Sequence, residues 1–244
     1  MKPEASILPK LWTIPDSIRN RLGREPGPQR AMLEEGHLLI ILHQLPQPDE
    51  HQRKPALFWR SPEGEWKTNL HGTGLGALND HMRTYDHKLT ELEDAENLAS
   101  TATEYHTVLE KLAPVLRSSR GLHRTMQQAR ELVKGERELI NFRDQAAAIE
   151  RNSELLLQDA QFGLNFTVAR QAEAQAATAR QMAATAHRLN LLAALFLPLT
   201  ALASVFGMEI HSKLPDTQAN FWLICVCGIL LGFVVMSFLG KKTE

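Results

Sequence analysis

The stretch Leu189–Ile210, LNLLAALFLPLTALASVFGMEI, decides how this chain is organised. Its first 18 residues, Leu189–Phe206, carry no charged side chain. At about 1.5 Å per residue, a helix of this length nearly crosses the roughly 30 Å hydrocarbon core of a bilayer. A second uncharged run covers Phe221–Leu239, close behind the first. The pattern predicts a two-helix transmembrane hairpin at 187–240, with spans at 189–208 and 221–239. Two buried core helices are the less favoured alternative.

The composition excludes several classes of protein. The 244 residues have a formal charge of -1, so no basic excess suggests a nucleic-acid partner. The two cysteines, Cys225 and Cys227, lie within the second apolar run, which excludes a disulfide framework. No Ser-His-Asp, Cys-His or paired-carboxylate arrangement is supported by spacing. We therefore expect neither an enzyme nor a tightly bound cofactor.

Basic residues set the expected orientation of the hairpin. The connecting loop contains only Lys213, whereas more basic residues flank the outer ends of the spans: Arg170, Arg180, Arg188, Lys241 and Lys242. The positive-inside rule then places both termini in the cytoplasm. We expect a protein of the cell (inner) membrane with two spans, followed by a basic tail at 241–244.

Residues 1–76 are predicted to form a small cytoplasmic α/β cap. The run His37–His43, HLLIILH, is typical of a buried strand. The segments Ala56–Arg60 and Glu65–Leu70 flank a Ser-Pro-Glu-Gly turn and predict a β-hairpin. A further short strand is expected near Leu11–Ile14.

Residues 77–186 are predicted to form a cytoplasmic helical domain and stalk, so the fold class is mainly α with a small β-containing cap. Pro114 is expected to mark a helix boundary, with the next helix starting near Gly121 and interrupted near Gly135. Asn152 or Ser153 could cap a final long helix over 153–207, running from the cytoplasm into the membrane.

A stripe of small residues follows one face of that long helix. Ten of its twelve positions are Ala, Ser, Thr or Gly: Ala169, Ala172, Ala176, Ala179, Ala183, Ala186, Asn190, Ala193, Leu197, Thr200, Ser204 and Gly207. Alternating spacings of three and four place them on one face of a helix. Small and hydroxyl-bearing side chains suit either a close helix-packing seam or the lining of a water-filled axis. The pattern alone leaves both open.

The C-terminal motifs resemble those of the CorA-type divalent-cation channels, the superfamily that includes magnesium channels and the zinc transporter ZntB. The likeness covers about residues 187–242, and the helical architecture extends it back to about residue 77. It is carried by Leu197-Pro-Leu-Thr200, by Val205-Phe-Gly-Met208, by Leu214-Pro-Asp216, by Trp222 and by Lys241-Lys242. As in the family, Gly207 follows Pro198 by nine residues.

The resemblance implies a homopentamer in a lipid bilayer, with the first spans around a pore and the second spans outside. The resemblance favours pore lining over a packing seam as the role of the stripe. The residues that would line the pore are Asn190, Ala193, Leu197, Thr200 and Ser204. Ala183 and Ala186 stand where the family has bulky constriction residues, so a gate is expected higher up, near Leu189–Leu197.

Glu209 is the main departure from the family pattern at the expected pore mouth, Gly207, Met208 and Glu209. The family has Asn at that position, whose amide can bind the water shell of hydrated Mg²⁺. A ring of five Glu would instead attract cations by charge and could bind one directly. We therefore expect passive divalent-cation transport, with Mg²⁺ the first candidate and Glu209 a candidate metal ligand.

Two other functions stay open: a non-conducting two-span coiled-coil scaffold, and ZntB-like zinc transport, to which His211 beside Glu209 lends slight support. His187 could form a pH-sensitive ring, and Glu91, Glu93, Asp94 and Glu96 form an acidic cluster that could sense a cation. A solvated helix face is the safer interpretation of such a cluster. His37 and His43 are interpreted as strand ends rather than ligands.

Overall fold

The computed structural model describes residues 7–46, 53–207 and 218–240. The elements are helix α1 (Asp16–Arg19), strands β1 (Arg30–Glu34), β2 (His37–His43), β3 (Pro55–Arg60) and β4 (Trp66–Thr68), and helices α2 (Gly74–Leu98), α3 (Ala102–Leu132), α4 (Glu138–Gly207) and α5 (Gln218–Gly240). The predicted class, mostly helical with a small N-terminal sheet, is confirmed.

The four strands form an antiparallel sheet in chain order. The strand predicted at His37–His43 is confirmed as β2, and the predicted hairpin is confirmed as β3 and β4, with Arg60 opposite Trp66. Strand β1 was not predicted. It pairs with β2 through a two-residue turn in which both Glu35 and Gly36 have positive φ, which is the backbone of a tight hairpin turn.

Strand β2 is buried on both faces, which explains its unbroken apolar run. Leu38, Ile40 and Leu42 lie in a core shared with α2, α3 and the first part of α4, while Leu39 and Ile41 lie in a second core on the opposite face. Successive side chains of a strand point to opposite faces, so an apolar residue is required at every position.

The second core is closed by the N-terminal segment, including Trp12, Ile14 and Ile18. The strand predicted near Leu11–Ile14 is wrong, because this segment is irregular and pairs with no strand among the described residues. The guanidinium of Arg19 donates to the Ile14 carbonyl oxygen at 3.0 Å and holds the segment through its backbone.

The boundary predicted at Pro114 is wrong, because Pro114 lies inside α3. The chain instead breaks between Leu98 and Ala102. There the Thr101 hydroxyl accepts from the Glu104 amide, and the Glu104 carboxylate accepts from the Thr101 amide, forming a capping box. The helix start predicted at Gly121 is also wrong, since α3 continues through it.

The interruption predicted near Gly135 is confirmed, because α3 ends at Leu132 and α4 begins at Glu138. The cap predicted at Asn152 or Ser153 is wrong. Ser153 is buried inside α4 and donates its hydroxyl to the Ile149 carbonyl oxygen at 2.7 Å. Helix α4 therefore has 70 residues, a rise of about 105 Å.

The chain forms two compact units, Met1–Ala169 and Arg170–Glu244. In the first unit, the sheet shares its larger core with α2, α3 and α4. The division into a cap at 1–76, a helical domain and stalk at 77–186, a hairpin at 187–240 and a tail at 241–244 stays a prediction.

Candidate pore-lining face

Among the described residues, the Glu138–Ala201 part of α4 is the one segment that is long and apolar enough to cross a membrane. By the same measure, the Cys225–Val234 part of α5 is a shorter apolar helix. The second predicted span therefore stays a prediction, although α5 itself is helical from Gln218 to Gly240.

Helix α5 has two buried glycines four residues apart, Gly228 and Gly232, and Gly232 lies against the backbone of α4. On α4, Ala194 is buried and Leu195 is half-buried. A Cβ atom on Gly232 would lie 3.0 Å from the Leu195 carbonyl oxygen, so the two backbones touch. This is the close contact that a G-x-x-x-G pattern permits in an apolar helix. The pattern could have been found in the sequence, and our sequence analysis missed it.

We call the side of α4 turned to α5 the hairpin face. Its members are buried or half-buried: Leu191, Ala194, Leu195, Pro198 and Leu199. The five predicted pore-lining residues form the stripe face, and all are exposed in the single chain: Asn190, Ala193, Leu197, Thr200 and Ser204. At about 100° per residue, the mean directions of the two faces differ by roughly 150°. The stripe face therefore lies on the side of α4 away from α5.

Pro198 lies inside α4 without ending it. Proline lacks an N–H group, so it cannot donate the usual bond to the carbonyl four residues earlier. Two residues later, the Thr200 hydroxyl lies 3.0 Å from the carbonyl oxygens of both Phe196 and Leu197 and donates to this part of the backbone. Thr200 thus presents its hydroxyl oxygen and methyl group on the exposed stripe face.

The predicted gate region carries large exposed side chains. Leu189 is 60% exposed and Leu197 is 65% exposed, whereas Ala183 and Ala186 are small and exposed. His187 is also exposed on this helix. Of the predicted pore mouth, Gly207 is the last residue of α4, and Met208 and Glu209 lie outside the described residues, as does His211.

The acidic cluster on α2 is not brought together as a site. Glu91 pairs with Lys88 at 2.8 Å on the same helix, and this hydrogen bond lowers its pKa. Burial, together with the charges of Asp159 on α4 and Glu93, raises the pKa of Glu96. Within the described ranges, no group of three or more His, Cys, Asp or Glu side chains could hold a metal ion.

The two histidines of β2 have structural partners. The Trp59 indole nitrogen donates to His37 Nδ1 at 3.2 Å, and His43 Nε2 lies 2.8 Å from the Gly27 carbonyl oxygen. Both contacts agree with the interpretation of these residues as strand ends.

Structural comparison finds similar solved structures, among them the following three. The full-length CmaX protein is 12% identical with a TM-score of 0.59, covering 96% of this chain and 82% of that one. The ZntB cytoplasmic domain from Vibrio parahaemolyticus RIMD 2210633 is 13% identical with a TM-score of 0.52, covering 66% and 80%. The CorA magnesium transporter from Methanocaldococcus jannaschii is 14% identical with a TM-score of 0.39, covering 90% and 80%. At these identities, the likenesses to CmaX and ZntB concern the fold alone.

Sequence comparison is more specific. No curated protein matches the chain, but the family described as CorA-like Mg2+ transporter protein matches residues 72–242. The match includes α2 to α5 and the nine-residue spacing from Pro198 to Gly207 on which the resemblance was based. The chain therefore belongs to the CorA-like Mg²⁺ transporter family.

Proposed function

We propose that this chain is the subunit of a homo-oligomeric, pentameric membrane channel that conducts divalent cations passively, with Mg²⁺ the first candidate. The end of α4 and α5 would both cross the membrane, with the two termini in the cytoplasm. Membership of a transporter family supports ion transport rather than enzymatic activity.

The observation that carries the proposal is the arrangement of the two faces of α4. The hairpin face is occupied by α5, while Asn190, Thr200 and Ser204 remain exposed on the stripe face. In hydrocarbon, the Asn190 amide and the Ser204 hydroxyl would be costly without protein or water beside them, whereas the Thr200 hydroxyl already donates to its own helix backbone. Turning this face to a central axis shared by several subunits would give these groups water and would leave α5 toward the lipid.

The same arrangement suggests how the path could close. Leu189 and Leu197 are exposed on or beside the stripe face and are separated by about two turns of α4. Rings of leucine around a narrow axis can exclude water and so block ions. We propose this region as the gate and Glu209, one residue beyond the Gly207-Met208 pair, as a carboxylate ring at the mouth.

The test is ion uptake by proteoliposomes that contain the purified protein, comparing Mg²⁺, Zn²⁺, Ni²⁺ and Co²⁺. The variant is Glu209→Ala, and the matched control is Glu173→Ala, which removes an exposed carboxylate from α4. We expect Glu209→Ala to lower uptake at low ion concentration by about tenfold, the low end of the effect of a charged entrance. The control should leave uptake unchanged.

Size measurement by light scattering accompanies the flux assay. Uptake by an assembled wild-type protein, lowered in Glu209→Ala with the same assembly, supports the channel and the mouth. The order of ions then decides between magnesium and zinc transport. If the assembled protein takes up none of the four ions, conduction is contradicted. The non-conducting two-span scaffold is then the favoured function.

A further inference from the structure

Helix α4 leaves the packed part of the first unit just after Gly163. Before this point, Leu156 is buried in the larger core. Gly163, Leu164 and Thr167 are half-buried, and every residue from 168 to 190 is exposed in the single chain. Packing of the first unit on α4 therefore ends at residues 163–167, which we call the exit segment.

The ring of Tyr105, in the first turn of α3, lies against the backbone of the exit segment. A Cβ atom on Gly163 would collide with this ring, so the ring can lie here only beside a glycine. Gly163 is the only glycine in α4 before its last residue, Gly207. The contact is thus made at the one place before the end of α4 where the helix has no side chain.

The support of the Tyr105 ring is held firmly. The Glu104 carboxylate accepts hydrogen bonds from the backbone amides of Ser100 at 2.8 Å and Thr101 at 3.0 Å. One turn further along α3 from Glu104, Val108 is buried. The capping box and this buried side chain fix the backbone on either side of Tyr105.

The exit segment is a weak part of its helix. Glycine disfavours a helix because its backbone loses more freedom than that of other residues. The Thr167 hydroxyl donates to the Gly163 carbonyl oxygen at 2.8 Å, which is the oxygen that also accepts the Thr167 amide in an α-helix. A hydroxyl that shares such an acceptor often bends the helix. These two features favour bending of α4 within the exit segment.

Like charges act against close packing beside the exit segment. Burial raises the pKa of Glu96, near the end of α2, and the negative charges of Asp159 and Glu93 raise it further. Asp159 lies on α4, one turn before Gly163. Repulsion between Glu96 and Asp159 favours separation of α2 and α4 at this level, whereas the Tyr105 contact holds α3 to α4.

We propose that the exit segment is a hinge at which α4 bends, and that the Tyr105 ring is the positioning group that limits the bend. The support of the ring is fixed, whereas the helix beside it is weakened by Gly163 and Thr167. Movement at this contact is therefore taken up by α4 rather than by α3.

The consequence for transport rests on the proposed channel function. Leu189, in the proposed gate, lies about 40 Å beyond Gly163 along α4, at about 1.5 Å per residue. A bend of about 5° at Gly163 displaces a point at this distance by about 3 Å. Bending at the hinge thereby moves the leucine side chains of the gate and opens the path that they close.

Hydrogen exchange, measured by mass spectrometry on the full-length protein in detergent, tests the hinge without any transport. The variants are Tyr105→Leu, which removes the ring, and Tyr105→Phe, which keeps it. A double variant, Tyr105→Leu with Gly163→Ala, restores a helix-favouring residue where the ring no longer blocks it. The control is His106→Leu, at the exposed neighbouring position of α3.

We expect amides in the exit segment of the wild type to exchange at least tenfold faster than those at 153–160, earlier in α4. Exchange in the exit segment should be a further tenfold faster in Tyr105→Leu, unchanged in Tyr105→Phe and His106→Leu, and slower in the double variant than in Tyr105→Leu. Equal rates in the wild type and Tyr105→Leu would overturn the role of the ring. Equal rates along α4 in both proteins would overturn the hinge.

Reversible linking of α3 to α4 tests the connection to transport. In a variant that lacks both native cysteines, Tyr105→Cys with Gly163→Cys is joined by a short bifunctional thiosulfonate. The control pair is His123→Cys with Glu150→Cys, whose native side chains lie 2.6 Å apart across the same two helices.

We expect the link between positions 105 and 163 to lower Mg²⁺ uptake by proteoliposomes at least fivefold, and a reductant to restore it. The control link should leave uptake within twofold. Uptake that is unchanged by the first link, or lowered equally by both, would overturn control of the gate by the hinge. If the unlinked protein takes up no ion, the channel function fails, and hydrogen exchange alone decides whether the hinge exists.

Discussion

Gly232 of α5 lies against the backbone of Leu195 in α4, so that a Cβ atom on Gly232 would lie 3.0 Å from the Leu195 carbonyl oxygen and 3.2 Å from its Cα. This contact fixes which side of α4 faces α5. Because the stripe face is on the other side, the contact also determines which residues remain for a neighbouring subunit or an aqueous axis.

Gly232→Leu should weaken the packing of α5 on α4. The added side chain meets backbone rather than the end of a flexible side chain, so the helices must separate. Overpacking of this kind costs about 1–3 kcal/mol. Thermal unfolding in detergent should show a lower Tm, with Val234→Leu, on an exposed position of the same helix, as the control. An unchanged Tm in Gly232→Leu would show that the contact is not close in solution.

His81 should make the protein less stable as the pH falls below neutrality. It is buried near Phe58 and Tyr85, and burial lowers its pKa from 6.5 to about 4 against the opposing effect of a backbone hydrogen bond to His43. Between these values, the unfolded chain binds more protons than the folded one. The free energy of unfolding therefore decreases as the pH is lowered, by about 2 kcal/mol from pH 7 to pH 5.

His81→Leu should remove this dependence, so its Tm should fall less than that of the wild type between pH 7 and 5. His106→Leu is the control, because His106 is exposed on α3. Equal Tm losses in wild type and His81→Leu would mean that His81 is not the group that titrates.

Two glycines in helices should respond in opposite ways to alanine. A Cβ atom on Gly163 would collide with the Tyr105 ring, whereas nothing lies within 4 Å of one on Gly76. Alanine favours a helix by up to about 1 kcal/mol over glycine. Gly76→Ala should therefore raise Tm, and Gly163→Ala should lower it by displacing Tyr105. Thermal unfolding of the two variants side by side checks this, and a higher Tm in Gly163→Ala would contradict it.

Thr101→Ala should destabilise the start of α3. It removes the hydroxyl that accepts from the Glu104 amide, a loss of about 1 kcal/mol. Thr103→Ala, which is also exposed in the first turn, leaves the capping box in place. Tm should fall in the first variant and stay near the wild-type value in the second. A similar fall in both would show that the cap contributes little.

The sequence predicted the elements with strong patterns. The apolar run of β2, the turn between β3 and β4 and the break near Gly135 were all found from residue type and order. The uncharged Leu189–Phe206 run likewise predicted the apolar part of α4. These features depend on local preferences or on burial that an apolar run makes visible.

The predictions failed where a local signal was overruled by packing or capping. Pro114 would normally break a helix, but α3 continues through it, with Leu112 and Val115 beside it in the larger core. Ser153 resembles a cap in sequence, but its hydroxyl is satisfied by the Ile149 carbonyl oxygen inside α4. Strand β1 was missed because its short sequence, RAMLE, has no alternating pattern.

The stripe residues could be chosen from spacing, but the face opposite them could not. That face is defined by the approach of Gly232 to Leu195, a tertiary contact. The Gly228 and Gly232 pattern signals a close helix contact on α5 but does not identify the face of α4 that it meets.

Chemical modification of single cysteines tests whether the stripe face lines an ion path. In a Cys225→Ala/Cys227→Ala background, Thr200→Cys places a thiol on the stripe face and Leu199→Cys places one on the hairpin face. Proteoliposome Mg²⁺ uptake is measured before and after a positively charged, water-soluble thiosulfonate reagent. Mass spectrometry gives the extent of labelling.

We expect the reagent to label Thr200→Cys and to block most of its Mg²⁺ uptake, because a bulky cation then occupies the path. Leu199→Cys should keep its uptake. Complete labelling of Thr200→Cys with Mg²⁺ uptake unchanged, or block of Leu199→Cys alone, would contradict a pore along this face.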